Sequence, residues 1–96
     1  MITKYIFEEY RDNKGIGSVK FFDTREESLQ VAQEEWDGLC YADKKSYLND
    51  TGSCFHIYRA EIPINEWKEL QDPYGCPEKA ENEYWAEDIK DFLNER

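Results

Sequence analysis

The stretch Asp23–Leu39, DTREESLQVAQEEWDGL, decides the predicted fold because it contains the strongest helix signal in the chain. Thr24 followed by Glu27 is a capping box, in which the two residues satisfy free amide donors at a helix start. Four apolar side chains recur at spacings of three, four and three and share one helical face: Leu29, Ala32, Trp36 and Leu39. Gly38 marks the expected end, so the pattern predicts one amphipathic helix.

Strand patterns lie on both sides of this helix. Residues 4–10 (KYIFEEY) and 18–22 (SVKFF) are rich in aromatic and β-branched side chains. The turn-forming segment DNKGIG joins them, which predicts a β-hairpin. Residues 54–62 (CFHIYRAEI) predict a third strand, and Pro63 either ends it or limits it to a sheet edge. A right-handed crossover then places the first hairpin strand in the centre of the sheet.

A second main helix is predicted near the C-terminus. Pro77 stands where a first helical residue would stand. Six apolar side chains after it form a second helical stripe: Ala80, Tyr84, Trp85, Ile89, Phe92 and Leu93. We therefore expect Trp36 and Trp85 in the core, one from each main helix.

Two weaker helical signals complete the pattern. Residues 43–48 predict one helical turn, and a short helix is expected to face inward through three side chains: Ile64, Trp67 and Leu70. The predicted order is β-β-α-β-α. It gives an α+β two-layer sandwich, with a three-stranded antiparallel sheet and two main helices on one face. The 96 residues are expected to form a single domain, residues 1–96.

Composition excludes several classes of partner. Twenty-two acidic residues against twelve basic ones give a net charge of −10, which repels nucleic acid and anionic membranes. No stretch approaches the roughly 20 apolar residues of a membrane span, and no signal-peptide pattern follows Met1. The sequence therefore predicts a soluble, cytoplasmic protein without direct nucleic-acid or membrane binding.

Chemistry-bearing residues are sparse. The chain has one histidine, His56, and three widely spaced cysteines without a C-x-x-C pair, so neither a metal site nor a cofactor is predicted. Cys54 and His56 share one face of the third strand, which is the one suggestive nucleophile–base pair. Nothing in the sequence marks an oxyanion site beside it. The prediction is a protein without enzymatic activity, with a small cysteine enzyme as a minority alternative.

Acidic residues on the two predicted helices form the candidate partner-binding face. On the C-terminal helix, Glu83, Glu87 and Asp91 follow one another at intervals of four. Four residues rise about 6 Å, comparable with the spacing of phosphates along a nucleic-acid strand. The first helix adds Glu34, Glu35 and Asp37. These six residues predict a surface that fits a basic groove by charge mimicry, although a merely solvated acidic face would look the same.

The chain also resembles small acidic proteins of bacterial phages and mobile elements, of the anti-CRISPR type. The resemblance lies in YIFEEY, FFDTREESLQVAQEEW and FHIYRAEI, a strand–helix–strand rhythm within residues 4–62. It implies an inhibitor in the cytoplasm of a bacterial host cell, with a CRISPR effector nuclease as its basic partner, but it assigns no residue a role. The alternative is a small acidic interaction or regulatory domain, whose acidity serves only solubility. Such a domain could form a homodimer through an uncovered sheet face or the edge of the third strand.

Overall fold

The computed structural model describes residues 1–11, 16–71 and 82–94. Four strands form one antiparallel sheet: β1 (Ile2–Arg11), β2 (Ile16–Phe22), β3 (Cys54–Ile62) and β4 (Trp85–Asp91). Their order across the sheet is β2-β1-β3-β4. The first hairpin strand therefore lies between the second and third strands, as the sequence predicts. Phe7, for example, is paired with Lys20 of β2 and with Ile57 of β3.

In the described part of the chain, three helices of seven residues or more connect or follow these strands: α1 (Arg25–Asp37), α2 (Lys44–Asp50) and α3 (Ile64–Gln71). The start of α1 is confirmed, because the Thr24 hydroxyl accepts a hydrogen bond from the Glu27 amide at 3.2 Å. Gly38 is the C-cap, and its amide donates to the Glu34 carbonyl at 3.1 Å. Asp43 caps α2 by accepting from the Ser46 amide at 3.1 Å. Side chains close in sequence thus account for both helix starts.

The predicted C-terminal helix is wrong over Trp85–Asp91, which is strand β4 paired with β3. Residues 82–84 are helical, whereas Pro77 and Ala80 lie outside the described residues. The physical reason is that β3 without β4 would expose a row of backbone amides and carbonyls, and pairing satisfies them. The Phe92 amide extends this pairing by donating to the Phe55 carbonyl at 3.0 Å.

The predicted three-stranded two-layer sandwich is therefore wrong, although the α+β class is confirmed. Helices also lie on both faces of the sheet. Phe7 and Ile6, adjacent on β1, point to opposite faces and belong to separate core clusters. Phe7 packs with Ala32 of α1 and Leu48 of α2, whereas Ile6 packs with Leu70 of α3.

Some of the predicted core residues are buried and others are exposed. The α1 stripe is confirmed, because Ala32 is fully buried and its three partners pack against the same cluster: Leu29, Trp36 and Leu39. Trp85 is not a core residue, since β4 leaves it 50% exposed. On α3, Leu70 is buried and Trp67 packs edge-on against Phe21 at 5.0 Å, but Ile64 is 71% exposed. None of the described helices has the length and apolar character that crossing a membrane would require.

Candidate functional site

The outer side of α1 carries a row of exposed carboxylates, which we call the α1 ridge: Glu26, Glu27, Glu34 and Asp37. From the first to the last, the helix rises about 16 Å at 1.5 Å per residue. None of the four forms an ion pair with a described residue. The last turn of α1 contains no basic side chain. The ridge therefore presents two pairs of carboxylates, one near each end of α1, that no cation of the described residues neutralises by an ion pair.

Glutamines, rather than lysines or arginines, hold the C-terminal half of the ridge. The Gln30 amide donates to Glu34 at 3.4 Å, and the Gln33 amide donates to Asp37 at 2.9 Å. Acidic side chains near a helix C-terminus oppose the helix dipole, at a cost of about 0.3–1 kcal/mol each. Helix stability alone therefore does not explain why carboxylates stand at these two positions.

The third acidic residue predicted on α1 lies apart from the ridge. Glu35 faces the sheet, where Lys20 of β2 donates to its carboxylate at 2.7 Å. That hydrogen bond holds the pKa of Glu35 below its ordinary value. Only Glu34 and Asp37 of the predicted α1 trio therefore share the outward ridge.

The C-terminal trio does not form the predicted ridge, because two of its members belong to a strand. Glu87 forms an ion pair with Arg59 of β3, with 3.5 Å between Oε1 and Nε. Asp91 accepts hydrogen bonds from the backbone amides of Leu93 and Asn94 at 3.0 and 3.2 Å. Glu83 is exposed within the helical stretch 82–84. The structure thus uses Glu87 and Asp91 in internal contacts and does not align the three carboxylates.

A buried carboxylate that sequence reasoning missed lies beneath α1. Glu9 is only 4% exposed, and burial raises its pKa, an effect partly offset by Arg11. Arg11 Nε lies 2.9 Å from Glu9 Oε1, but neither atom makes an aligned hydrogen bond with a described residue. The signal was present in the alternation of β1, because Glu9 shares a face with Phe7 two residues earlier. Glu9, Glu35, Arg11 and Lys20 therefore form one charged cluster between sheet and helix.

An open groove of about 400 Å³ lies beside the ridge, at the C-terminal end of α1. Val31 and Leu39 supply its apolar lining, whereas Glu34 and Glu35 supply carboxylates. Arg11 is also part of the lining and brings one positive charge. The groove thus joins an apolar wall to charged side chains of both signs.

Cys54 and His56 lie on one sheet face, as their strand spacing predicts, and both approach Glu8 of β1. The Cys54 thiol donates to Glu8 Oε1 at 3.6 Å, and His56 Nε2 lies 3.9 Å from Glu8 Oε2. Sequence reasoning did not include this carboxylate. Among residues 1–11, 16–71 and 82–94, no three His, Cys, Asp or Glu side chains are arranged to hold a metal ion.

No protein-family model, curated protein or solved structure matches this chain. The resemblance to anti-CRISPR-type proteins therefore stays a prediction.

Proposed function

We propose that this protein is a non-enzymatic acidic inhibitor that binds a basic, nucleic-acid-handling surface of a host-defence protein by charge mimicry. The observation that carries the proposal is the α1 ridge, whose four carboxylates have no ion-pair partner among the described residues. The resemblance to anti-CRISPR-type proteins makes a CRISPR effector nuclease the first partner to test. The bacterial cytoplasm is the compartment in which such a partner would be met.

The ridge suits a surface that normally holds phosphates. Its carboxylates extend along about 16 Å of one helix side, so several lysines or arginines of a partner can be contacted together. Complementary charge of this kind accelerates association and selects partners more than it raises affinity. Because no cation of the described residues forms an ion pair with the ridge, a partner would have none of these pairs to displace.

The groove beside the ridge adds an apolar component. Val31 and Leu39 line it next to Glu34. A partner's lysine or arginine could lay its aliphatic stem on these side chains while its charged end meets the carboxylate. Burial of such stems supplies binding free energy that salt does not screen.

The test compares two variants with the same change in charge. The ridge variant carries Glu34→Gln and Asp37→Asn, and the matched control carries Glu69→Gln and Asp88→Asn, exposed acids outside the predicted partner-binding face. Both are measured by biolayer interferometry against a purified CRISPR effector nuclease bound to its guide RNA, over a series of salt concentrations. We expect the ridge variant to lose affinity about tenfold, or 1.4 kcal/mol. Its salt dependence should also flatten, whereas the control should stay within about twofold of the wild type.

Equal losses in both variants would mean that net charge acts without a specific ridge. A complex that forms equally well at all salt concentrations, and that excess DNA does not compete away, would contradict charge mimicry.

The alternative is a homodimeric regulatory domain, which was expected to pair through an uncovered sheet face or the edge of β3. In the structure, other elements cover both of these surfaces. Strand β4 covers the edge of β3, and α3 lies on the sheet face where Ile6 and Tyr58 are fully buried. Sedimentation velocity distinguishes the two functions. A stable dimer at low micromolar concentration that binds no basic protein would favour the regulatory domain over the inhibitor.

A further inference from the structure

A second open groove, of about 430 Å³, lies between the end of α1 and helix α2. We call it the tyrosine groove, because the rings of Tyr41 and Tyr47 stack there with centroids 4.2 Å apart and planes 24° from parallel. Asp43 and Asp50 contribute carboxylates to the same lining. Two aromatic rings and two acids thus surround one concave surface.

The local sequence explains how this groove is built. Tyr41 is half-buried and packs against the core cluster beneath α1, which holds its ring in place in the lining of the groove. Tyr47, on α2, is 37% exposed and stacks on Tyr41 from outside. Asp43 is held by its capping bond to the Ser46 amide, and Asp50 ends the same helix. One short helix therefore fixes both carboxylates relative to the rings.

The chemistry of the groove favours a planar cation. Aromatic faces attract lysine and arginine, and the flat guanidinium also stacks on a ring while it donates hydrogen bonds to carboxylates. Lys44, a cation adjacent in sequence, lies instead over the Trp36 ring, with its Nζ 5.9 Å from the centroid. The volume falls within the range usual for ligand sites.

We infer that the tyrosine groove binds an arginine side chain of a basic protein partner. The ring of Tyr47 would stack on the guanidinium, and Asp50 would accept hydrogen bonds from it. The inference rests on the proposed function in expecting a basic partner, but it assigns a second contact point outside the α1 ridge. It also adds a preference for arginine over lysine, which charge mimicry alone does not require.

The test uses octa-arginine and octa-lysine peptides as probes at about 150 mM salt. Isothermal titration gives affinities for the wild type, Tyr47→Ala, Tyr47→Phe and Asp50→Asn, with Tyr10→Ala as a matched exposed tyrosine on β1, 39% exposed. We expect the wild type to prefer octa-arginine. Tyr47→Ala should bind it about two- to fivefold more weakly and lose the preference. Tyr47→Phe and Tyr10→Ala should behave as the wild type, and Asp50→Asn should weaken both peptides.

Amide chemical shifts locate the bound peptide. Changes within residues 40–50 would support the inference. Changes confined to the α1 ridge, unaltered binding by Tyr47→Ala, or no binding of either peptide would overturn it. These results leave the proposed function standing if the ridge variant still loses affinity for the effector. Conversely, if the effector binds the ridge variant as tightly as the wild type, the proposed function is contradicted, whereas the peptide result still stands.

Discussion

Helix α1 and strand β4 share features of sequence but differ in structure. Both segments are rich in acids and carry apolar residues at helical spacings. In α1 the Thr24 cap and the Gly38 end mark the boundaries of a helix. In β4 the backbone pairs with β3 instead, through partners such as Tyr58 and Asp88. The difference shows that an apolar stripe permits a helix, whereas capping together with the stripe specifies one.

The two segments also use their acids differently. On α1, the exposed carboxylates of Glu34 and Asp37 accept hydrogen bonds from the amides of Gln30 and Gln33. On β4, Glu87 meets Arg59, and Asp88 accepts a hydrogen bond from the Trp85 indole at 3.0 Å. Similar acidic sequences therefore give a negative surface in one region and internal contacts in the other.

The largest expected effect tests whether β4 is a strand. Phe92 is 5% exposed and packs on Trp36 and Phe55 with ring centroids 5.3 and 5.0 Å apart. Phe92→Ala should lower the free energy of unfolding by about 3–5 kcal/mol, because it removes apolar contact and leaves a cavity. Trp85→Ala should cost no more than about 1 kcal/mol, since that side chain is half-exposed. Urea denaturation measures both; equally large losses would favour the helical stripe.

A smaller effect tests the local signal that starts α1. Thr24→Ala removes the acceptor for the Glu27 amide and should cost about 1 kcal/mol. Thr24→Ser keeps the hydroxyl and is the matched control. Thermal unfolding followed by circular dichroism gives the comparison. An alanine variant as stable as the wild type would show that packing, not capping, sets the start of the helix.

The acids themselves provide the third comparison. Asp91→Ala removes the acceptor of two backbone amides and should destabilise the fold by about 0.5–1.5 kcal/mol. Asp91→Asn retains an oxygen acceptor and should lose less. Glu34→Gln, on the α1 ridge, should stay within about 0.5 kcal/mol of the wild type. If urea denaturation gives the same loss for Asp91→Ala and Glu34→Gln, the structural role of Asp91 is wrong.

The smallest expected change in stability comes from Glu9, beneath α1, and it is seen by comparing two pH values. Burial raises its pKa above the ordinary 4.5, so the folded state binds this proton more tightly than the unfolded state. Its stabilising contribution is complete below 4.5 and is lost as pH rises through the folded value. Glu9→Gln should therefore gain stability relative to the wild type between about pH 4 and about pH 7. Urea denaturation at the two pH values measures the change.

Glu35 should show the opposite pH dependence. The Lys20 hydrogen bond lowers its pKa, so its contribution is present above the ordinary 4.5 and is lost as pH falls through the folded value. The free energy of unfolding of Glu35→Gln should therefore fall furthest below that of the wild type near neutral pH. Parallel pH profiles for Glu9→Gln and Glu35→Gln would show that the two carboxyl groups do not occupy different environments.

The fold brings together only some of the six acids that the sequence predicts as a partner-binding face. Glu34 and Asp37 lie together on the outer side of α1. Glu35, one residue away, was assigned to the same surface, yet it turns inward to Lys20. Helical spacing places Glu35 beside Ala32 and Leu39 of the apolar stripe, so the pattern of α1 already indicates its inward position. Its partner Lys20 comes from β2, and helical spacing carries no information about that strand.

The sequence by itself determined helix α1, the hairpin with β1 in the centre of the sheet, strand β3 and the large negative charge. These features depend on side-chain alternation, caps and turns that act over a few neighbouring residues. Only the tertiary structure decided that the Trp85–Asp91 segment is a strand, that Glu9 is buried beside Arg11, and that Tyr41 stacks on Tyr47. Backbone pairing outweighs the local helical periodicity of Trp85–Asp91, because it satisfies the amides and carbonyls that the edge of β3 would otherwise leave unpaired. The other two features depend on side chains that come from separate elements.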